Sequence, residues 1–234
     1  MKKPAVILVS GGLDSITVVA MAKDEGFDPR PISFFYNQRH QIELLKAEES
    51  LKLMGITNHK IVNIDLSSFG GSALTDKNIN VPKYSSSGEI GSNIPITYVP
   101  ARNTIFLSFA LGYAEVIGAN DIFIGAHEQD SANYPDCRKE FIKAYEEMAN
   151  KAVASVEGGK NRINIQAPLI NMNKSEIVKK GLELGVDYSK TISCYDATDD
   201  GLSCGSCHAC LVRIDAFKEN NMEDPAPYTN HTLK

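Results

Sequence analysis

The sequence contains no apolar run of the roughly 18 residues that a membrane-spanning helix needs, so we expect no transmembrane segment and no membrane partner. It also shows no signal peptide, because the chain enters a predicted strand within a few residues and the segment 11–14 interrupts the apolar stretch that follows. We therefore expect a cytoplasmic protein. Internal repeats and low-complexity tracts are absent as well.

The sequence has no excess of positive charge. It contains 24 Lys and Arg residues and 29 Asp and Glu residues, which gives a formal net charge of −5. A broad polyanion-binding surface is not indicated, and we expect no direct nucleic-acid binding. Five cysteines without a secretion signal favour metal binding or catalysis over disulfides. With 43% hydrophobic residues, the chain of 234 residues can bury a full core, as one large domain or one domain with an appendage.

Apolar strands alternate with amphipathic helices, which predicts an α/β fold with a doubly wound, mostly parallel sheet. The predicted strands are 6–9, 31–36, 60–64, 121–126 and 163–166, and the predicted helices are 16–22, 41–54, 102–118, 139–156 and 173–185. In helix 41–54 we expect an apolar side made of Leu44, Leu45, Leu51 and Met54. In helix 102–118 we expect the core to receive Ile105, Phe106, Phe109 and Val116.

Two stretches depart from this alternation. Residues 66–100 are dense in Ser and Gly and predict a loop-rich insertion, either a functional lid or a poorly ordered segment. From residue 187 onward a cysteine-rich segment takes over. We therefore predict a nucleotide-binding domain over 1–186, which includes the insertion, and a zinc-binding C-terminal segment over 187–234.

The first predicted strand and helix are joined by the turn Ser10-Gly11-Gly12-Leu13-Asp14-Ser15. A strand, a glycine turn and a helix aim free backbone N–H groups and the positive end of the helix dipole at an anion. The turn lacks the Lys of a Walker loop and the third glycine of a dinucleotide fingerprint, and an ordinary βα turn is the alternative for Gly-Gly alone. Asp14 is unusual beside phosphates unless it holds Mg²⁺ or orients the loop. The residues predicted to form this anion site are Leu8, Val9, Ser10, Gly11, Gly12, Leu13, Asp14 and Ser15.

Further polar clusters follow the other predicted strands, where the active-site loops of such sheets lie. Arg39 offers a planar fork for phosphate or carboxylate, and His40 can transfer a proton; a plain polar loop is the alternative. Arg102 at a helix start is unfavourable with the dipole, which suggests a bound anion, although a solvent-facing Arg explains it equally. Lys174 at another helix start can neutralise a leaving pyrophosphate, or it is one of many surface lysines.

After the fourth strand, Tyr134 can stack on a base, and Asp130 or Asp136 can accept hydrogen bonds from a guanine-like edge. Cys137 is either a nucleophile or, more commonly for such a residue, a packed thiol.

The strongest constellation after the first loop is a C-x-x-C-x-x-C run with one more cysteine ten residues before it, formed by Cys194, Cys204, Cys207 and Cys210. Four thiolates close a tetrahedral zinc site with no open position, which predicts a structural metal. An iron–sulfur cluster is the rival, but the bacterial ferredoxin run continues to a fourth Cys and a Pro, whereas Leu211 follows Cys210 here. His208 inside the run is read as a bystander.

The string at 10–15 resembles the pyrophosphate loop (PP-loop) of the ATP pyrophosphatase superfamily, whose members cleave ATP between the α and β phosphates and form an adenylated intermediate. Taken in order, the motifs resemble the 7-cyano-7-deazaguanine synthase family at 10–15, 36–40, 99–103, 134–138, 174–177 and 193–210. This resemblance implies a ligase that forms carbon–nitrogen bonds and makes 7-cyano-7-deazaguanine from 7-carboxy-7-deazaguanine, ammonia and ATP, for queuosine or archaeosine in tRNA. It also implies Mg²⁺, one structural Zn²⁺ on the four cysteines, and a homodimer.

The same resemblance implies roles for residues. Catalytic roles fall to Asp14, Lys174, Arg102 and Arg39. Substrate contacts fall to Tyr36, Gln38, Arg39, His40, Asp130, Tyr134, Asp136 and Arg138. A glutaminase domain has no room in 234 residues, so ammonia is expected to arrive free or from a separate subunit.

His127 and Glu128 depart from the family pattern, where an Asn is usual, and they leave a relative acting on another acceptor open. A tRNA-thiolating adenylase of the same superfamily is a second hypothesis, for which Cys137 is the spare cysteine. A zinc-ribbon interaction module that binds ATP without turnover is a third.

Overall fold

The computed structural model describes residues 2–89, 91, 93–127, 134–159 and 161–229. The strands are β1 (Pro4–Leu8), β2 (Asp28–Phe35), β3 (Lys60–Asn63), β4 (Asp121–Phe123) and β5 (Asn164–Gln166). The α-helices are α1 (Leu13–Asp24), α2 (Ile42–Leu53), α3 (Arg102–Ile117), α4 (Lys139–Ala152), α5 (Lys174–Glu183) and α6 (His208–Glu219). Among the described residues, no helix is both long enough and apolar enough to span a membrane.

The strands form one sheet in the order β3-β2-β1-β4-β5, and every pairing is parallel. The chain runs outward from β1 to β3 on one side, then crosses over to β4 and β5 on the other. The order therefore reverses between β1 and β4, and a crevice opens there at the carboxyl ends of the strands. The predicted doubly wound α/β fold is confirmed.

Both faces of the sheet are buried along the central strands β1, β2 and β4, which explains why these strands read as continuous apolar runs, whereas the edge strand β3 is mostly exposed. In β1, Val6 and Leu8 join one core cluster, and Ala5 and Ile7 join the other. Helices α3 and α4 cover the first face, while α1, α2, α5 and α6 cover the second.

The predicted core face of α3 is wrong in two positions. Phe109 is 42% exposed and Val116 is 83% exposed. The buried side is instead a stripe with helical spacing formed by Leu107, Ala110, Leu111 and Ala114. Because α3 is apolar all round, its periodicity cannot say which side is buried; the small alanines decide it by letting the helix approach β1 and β4. The predicted apolar side of α2 is wrong at one position for the same reason, because Leu45 is 56% exposed.

The insertion 66–100 has only short 3₁₀ turns at Ser67–Phe69 and Ser87–Glu89, yet its described residues pack well. Ala73 and Val81 are buried in a cluster with Cys194 and Cys207. The N–H of Tyr84 donates to the carbonyl of Ser206 at 2.8 Å. The described part of the insertion therefore packs partly against the cysteine segment, although Phe69 and Ile94 are largely exposed.

Arg213 of α6 fixes the segment that approaches the first loop. It is buried and bonds both carboxylate oxygens of Asp224, at 2.7 and 3.0 Å. It also donates to the carbonyl of Tyr188 at 2.9 Å and to the hydroxyl of Thr191 at 2.8 Å. The N–H of Ile192 then donates to the carbonyl of Gly11 at 3.0 Å, so this network reaches the nucleotide loop.

Candidate active site

A cavity of about 240 Å³ lies at the carboxyl ends of β1, β2 and β4, in the crevice that the strand order predicts. Its polar walls come from the first loop, the end of β2, and the first turns of α2, α3 and α5. Its apolar walls include Phe34 and Phe106, whose rings stack with centroids 4.1 Å apart. The site thus combines a polar end with an aromatic wall of the kind that holds a flat ring.

The first loop is held in shape by its own serines. The N–H of Ser10 donates to the Ser15 hydroxyl at 3.1 Å, and that hydroxyl donates to the carbonyl of Gly12 at 3.1 Å. Gly12 is the N-cap of α1 and supplies no side-chain cap. The first N–H groups of α1 therefore lack a capping side chain and are available to an anion in the cavity.

Gly11 is needed for a reason that the sequence does not reveal. Its φ is +83°, and a Cβ there would lie 2.2 Å from the carbonyl oxygen of Glu43 and 2.8 Å from the N of Ala47. Gly12 has an ordinary φ of −79°. Close approach of the α2 backbone, more than approach of an anion, explains the first glycine.

Asp14 and Lys174 form an ion pair inside the cavity. The Lys174 ammonium lies 2.7 Å from each Asp14 oxygen and 3.2 Å from Nε2 of His127. Burial alone would raise the pKa of Asp14, but the charges of Lys174 and His127 outweigh burial and hold it below its usual value. The sequence predicts both Asp14 and Lys174 as site residues, and the structure brings them together across 160 residues of chain.

The start of α5 places Lys174. Asn173 accepts a hydrogen bond from the N–H of Glu176 at 2.9 Å, and the Glu176 carboxylate accepts from the N–H of Asn173 at 2.9 Å. This capping box fixes the first turn of the helix and hence the lysine within it. Lys174 is almost fully buried, so the alternative of an ordinary surface lysine is excluded.

Arg102 lines the cavity at the start of α3. The residue before it, Ala101, has a left-handed φ of +53°, a strained conformation for a residue with a Cβ. Burial would lower the pKa of Arg102, but the charges of Tyr36, Cys137 and Asp136 raise it above its usual value. A fixed cation therefore faces the cavity beside the positive end of α3.

Asp136 supports that helix start. Its carboxylate accepts a hydrogen bond from the N–H of Asn103 at 3.0 Å, and the Asn103 amide donates to the carbonyl of Asp136 at 3.1 Å. The same amide lies 3.2 Å from the sulfur of Cys137, which lines the cavity. The two motifs 99–103 and 134–138 are thus one structural unit. Asp136 is occupied with the α3 backbone and, among the described residues, is not part of the cavity lining.

Arg39 and His40 lie elsewhere than predicted. The Arg39 guanidinium donates to the carbonyls of Lys77 and Ile79 at 3.3 and 3.4 Å, and it lies 3.7 Å from Asp196. His40 Nε2 lies 3.8 Å from the same carboxylate. Neither residue lines the cavity as the structure describes it. Arg39 thus joins the insertion to the cysteine segment, and His40 lies beside the same carboxylate of that segment.

The turn after β2 explains that placement. Asn37 has a φ of +59°, and the chain bends there. Gln38 turns inward, where its Oε1 accepts from the N–H of Tyr36 at 2.8 Å, so Tyr36 and Gln38 line the cavity and the next residue points away.

The remaining predicted base contacts are also dispersed. Tyr134 is buried with its hydroxyl 3.2 Å from that of Thr97, and Arg138 is exposed at the start of α4. Neither belongs to the cavity lining in the part of the chain that is described. Asp130, and Glu128 with it, lie outside the described residues.

Glu43 is the functional candidate that sequence reasoning missed. It lies in the first turn of α2 and lines the cavity. Burial raises the pKa of Glu43 to about 7, and the charge of Arg102 lowers it only in part. Burial and Glu43 together raise the pKa of Tyr36 to about 12, despite Arg102 beside it. A first-turn Glu is so ordinary in a helix that the sequence alone gives no signal.

The four predicted metal ligands come together. The sulfurs of Cys194, Cys204, Cys207 and Cys210 lie within 4.8 Å of one another. Four sulfurs at tetrahedral positions about 2.3 Å from a metal would be separated by about 3.8 Å, so the cluster fits such a site. The N–H groups of Asp196 and Cys204 donate to the Cys194 sulfur at 3.3 and 3.2 Å, as expected around thiolate ligands.

Sheet order, first loop and cavity together define an α/β protein with the fold of the PP-loop ATP pyrophosphatases. The solved structure of NMN synthetase from Francisella tularensis shares this fold with a TM-score of 0.50 at 16% identity, covering 95% of this chain and 78% of that one.

The family model described as Queuosine biosynthesis protein QueC matches residues 4–221, and the chain belongs to that family. It is 62% identical over 226 residues to a 7-cyano-7-deazaguanine synthase of Rickettsia felis, covering 97% of this chain and 99% of the relative. It is 58% identical over 228 residues to the same enzyme of Rickettsia rickettsii, covering 97% and 100%. The resemblance stated from the motifs is confirmed.

Proposed function

We propose that the protein is a carbon–nitrogen ligase that converts 7-carboxy-7-deazaguanine, ammonia and ATP to 7-cyano-7-deazaguanine in queuosine biosynthesis. The observation that carries this proposal is the 62% identity to a synthase of that name across nearly both chains. The cavity supports it, because the nucleotide loop, two fixed cations and an aromatic wall meet there.

The chemistry needs two activations. A carboxylate is a poor electrophile because its charge repels a nucleophile, and transfer of AMP from ATP removes that charge and supplies a leaving group. Ammonia then displaces AMP and forms the primary amide. The amide oxygen attacks the α phosphorus of a second ATP, and the nitrile forms as the second AMP leaves. One site can do both steps if it holds base and nucleotide in fixed positions.

In this proposal the N–H groups of loop 10–15 and of α1 bind the β and γ phosphates. Lys174 and Arg102 stabilise the departing pyrophosphate, and Asp14 holds Lys174 in place. Mg²⁺ would be carried mainly by phosphate oxygens, with Asp14 as the nearby carboxylate.

Tyr36 and Gln38 are the proposed substrate contacts that line the cavity. For Arg39 and His40 we propose a supporting role through Asp196, in place of the predicted direct contact. For Asp136 the proposed role is to hold the start of α3.

Zn²⁺ is the proposed metal of the four-cysteine cluster, as a structural ion without an open position. It would join the loops that carry the ligands to the insertion, and no chemical step passes through it. On this basis we propose that 1–186 is the catalytic unit and that 187–234 is a metal-stabilised segment.

The proposal extends to the surroundings of the enzyme. We propose a cytoplasmic homodimer that takes ammonia from solution or from a separate subunit, and that does not itself bind nucleic acid. The net charge of −5 agrees with the last point.

The test is an incubation of purified protein with ATP, ammonium and the carboxylated deazapurine. We expect the nitrile together with AMP and pyrophosphate. Formation of ADP and orthophosphate, or of neither AMP nor nitrile, would contradict the proposal. Binding of ATP without any turnover would favour the interaction module instead.

The thiolating adenylase is tested separately, because Cys137 does line the cavity. A sulfur-carrying role makes Cys137 indispensable, whereas nitrile formation needs no thiol. Cys137→Ser with retained nitrile formation would exclude that role.

A further inference from the structure

Glu43 is held against the nucleotide loop by the backbone. The Glu43 carbonyl oxygen lies 2.2 Å from the position that a Cβ on Gly11 would take, so the first turn of α2 packs directly against the loop. The Glu43 side chain lines the same cavity as Ser10, Asp14 and Lys174. Its position is therefore fixed relative to the phosphate-binding end of the site.

The Glu43 carboxylate is not engaged by a partner. Among the described residues, no group donates a hydrogen bond to it and no cation lies within ion-pair distance. Arg102 and Tyr36 are near enough to affect it electrostatically. This contrasts with Asp14, whose two oxygens both accept from Lys174. Of these two cavity carboxylates, Glu43 is the one whose oxygens are available to a ligand.

We propose that Glu43 is a catalytic base that takes a proton from the attacking nitrogen, an inference that rests on the proposed function. Ammonia attacks the carbonyl carbon of the acyl adenylate, the N–C bond forms, and the carbonyl electrons move to oxygen. One of the three N–H bonds of the attached nitrogen, now positively charged, breaks, and its proton goes to the Glu43 carboxylate. The carbonyl then reforms, the bond between carbon and the AMP oxygen breaks, and Glu43 returns its proton to solvent.

The second half of the reaction also requires removal of protons from the nitrogen. The amide nitrogen carries two protons, and the first is lost when adenylation of the amide oxygen gives the imidate. The second N–H bond breaks as the bond between carbon and the AMP oxygen breaks and the nitrile forms. A carboxylate beside that nitrogen accepts this proton as well. Burial raises the pKa of Glu43 to about 7, which suits a group that takes and releases protons near neutral pH.

The test variant is Glu43→Gln, which keeps the shape of the side chain and removes the base. We expect ammonium-dependent turnover to fall by at least about 100-fold, the usual contribution of a general base. Exchange of labelled pyrophosphate into ATP, measured with the carboxylated deazapurine and without ammonium, reports only the first adenylation and should stay within a factor of about two. Equal loss of both activities would overturn the proposal.

A second nucleophile separates proton removal from misfolding. Hydroxylamine is largely unprotonated at neutral pH and attacks acyl adenylates to give a hydroxamate, so its reaction depends less on a base. We expect hydroxamate formation by Glu43→Gln to fall much less than amide formation. An equal fall with both nucleophiles would contradict the proposal. Glu48→Gln is the matched control, because Glu48 lies on the same helix and is exposed.

Failure of this inference is distinguishable from failure of the proposed function. If the wild-type protein shows neither pyrophosphate exchange nor nitrile, the proposed function fails. If the wild-type protein turns over and Glu43→Gln does too, only the role of Glu43 fails.

Discussion

Replacement of Gly11 by Ala is a sharp test of how the nucleotide loop and α2 fit together. The added Cβ would meet two backbone atoms, the carbonyl oxygen of Glu43 at 2.2 Å and the N of Ala47 at 2.8 Å. Backbone atoms in a helix cannot rotate away as a side chain can, so α2 or the loop has to shift. The left-handed φ of +83° adds a second penalty for any residue with a Cβ.

The expected cost follows from these two effects. The conformational penalty is about 1–2 kcal/mol, and overpacking adds about 1–3 kcal/mol. Gly11→Ala should therefore lower the free energy of unfolding by about 2–5 kcal/mol, out of a usual total of about 5–15. Because the loop itself moves, ATP affinity should fall as well.

Gly26→Ala is the matched control for this experiment. Gly26 has a similar φ of +89°, but a Cβ there would meet no atom within 4 Å. It should therefore lose only the conformational part and should bind ATP normally. Urea unfolding and equilibrium ATP binding measure both variants. If Gly11→Ala unfolds at the same urea concentration as Gly26→Ala, the close approach of α2 is not a constraint and the reasoning is wrong.

The remaining predictions concern the cations, the metal cluster and pH. Lys174→Met should reduce turnover by about 100-fold or more and raise the pKa of Asp14, measured by steady-state kinetics and by titration; unchanged kinetics would contradict the role of Lys174. Arg213→Met should lower the free energy of unfolding by about 3–5 kcal/mol, because it leaves the buried Asp224 without its cation; urea unfolding checks this, and a loss below 1 kcal/mol would refute it. Cys207→Ser should release the metal and reduce thermal stability, measured by metal content and melting temperature together; full metal retention would exclude Cys207 as a ligand. At a fixed concentration of unprotonated ammonia, which removes the titration of ammonium itself, the rate of the ammonia-dependent step should rise with pH through an apparent pKa near 7, because Glu43 acts when deprotonated. Glu43→Gln should lack this rise. The other titratable groups that line the cavity among the described residues are Tyr36, Arg102, Asp14, Lys174, His127, Cys137, Tyr195 and His208, and a pH dependence that persists in the variant would belong to one of them.

The strands, their parallel arrangement and the glycine turn at 10–15 were predictable because they rest on local signals. Buried parallel strands are continuous apolar runs, and the glycine turn directly follows the first of them. The metal cluster was predictable because ligand spacing is encoded along the chain. In each case, the residues that define the feature are close together in sequence.

Features that depend on which surfaces meet were not predictable. Arg39 has the right chemistry for a phosphate, but the bend at Asn37 directs it to the carbonyls of the insertion. Asp136 has the right chemistry for a guanine edge, but its carboxylate instead accepts a hydrogen bond from the backbone N–H of Asn103 in the first turn of α3. In both cases the side chain hydrogen-bonds to a backbone group that is far away in the sequence. The local sequence pattern therefore does not predict this contact.

Glu43 is the opposite case, a residue that the sequence analysis did not select but that the structure places at the cavity. A first-turn glutamate is normally a solvated residue that interacts favourably with the helix dipole, so the sequence gives it no special role. The contact between α2 and Gly11 brings it to the cavity wall, where it is partly buried. Its raised pKa is a product of that tertiary contact.

The central claim, that both oxygens of a carboxylate leave on AMP, can be tested with one isotope measurement. The carboxylated deazapurine is prepared with ¹⁸O at both carboxylate oxygens and converted in the presence of unlabelled ATP and ammonium. We predict two AMP per nitrile, each with one ¹⁸O on its phosphorus, by mass spectrometry. Label in orthophosphate or water, or unlabelled AMP, would contradict the account.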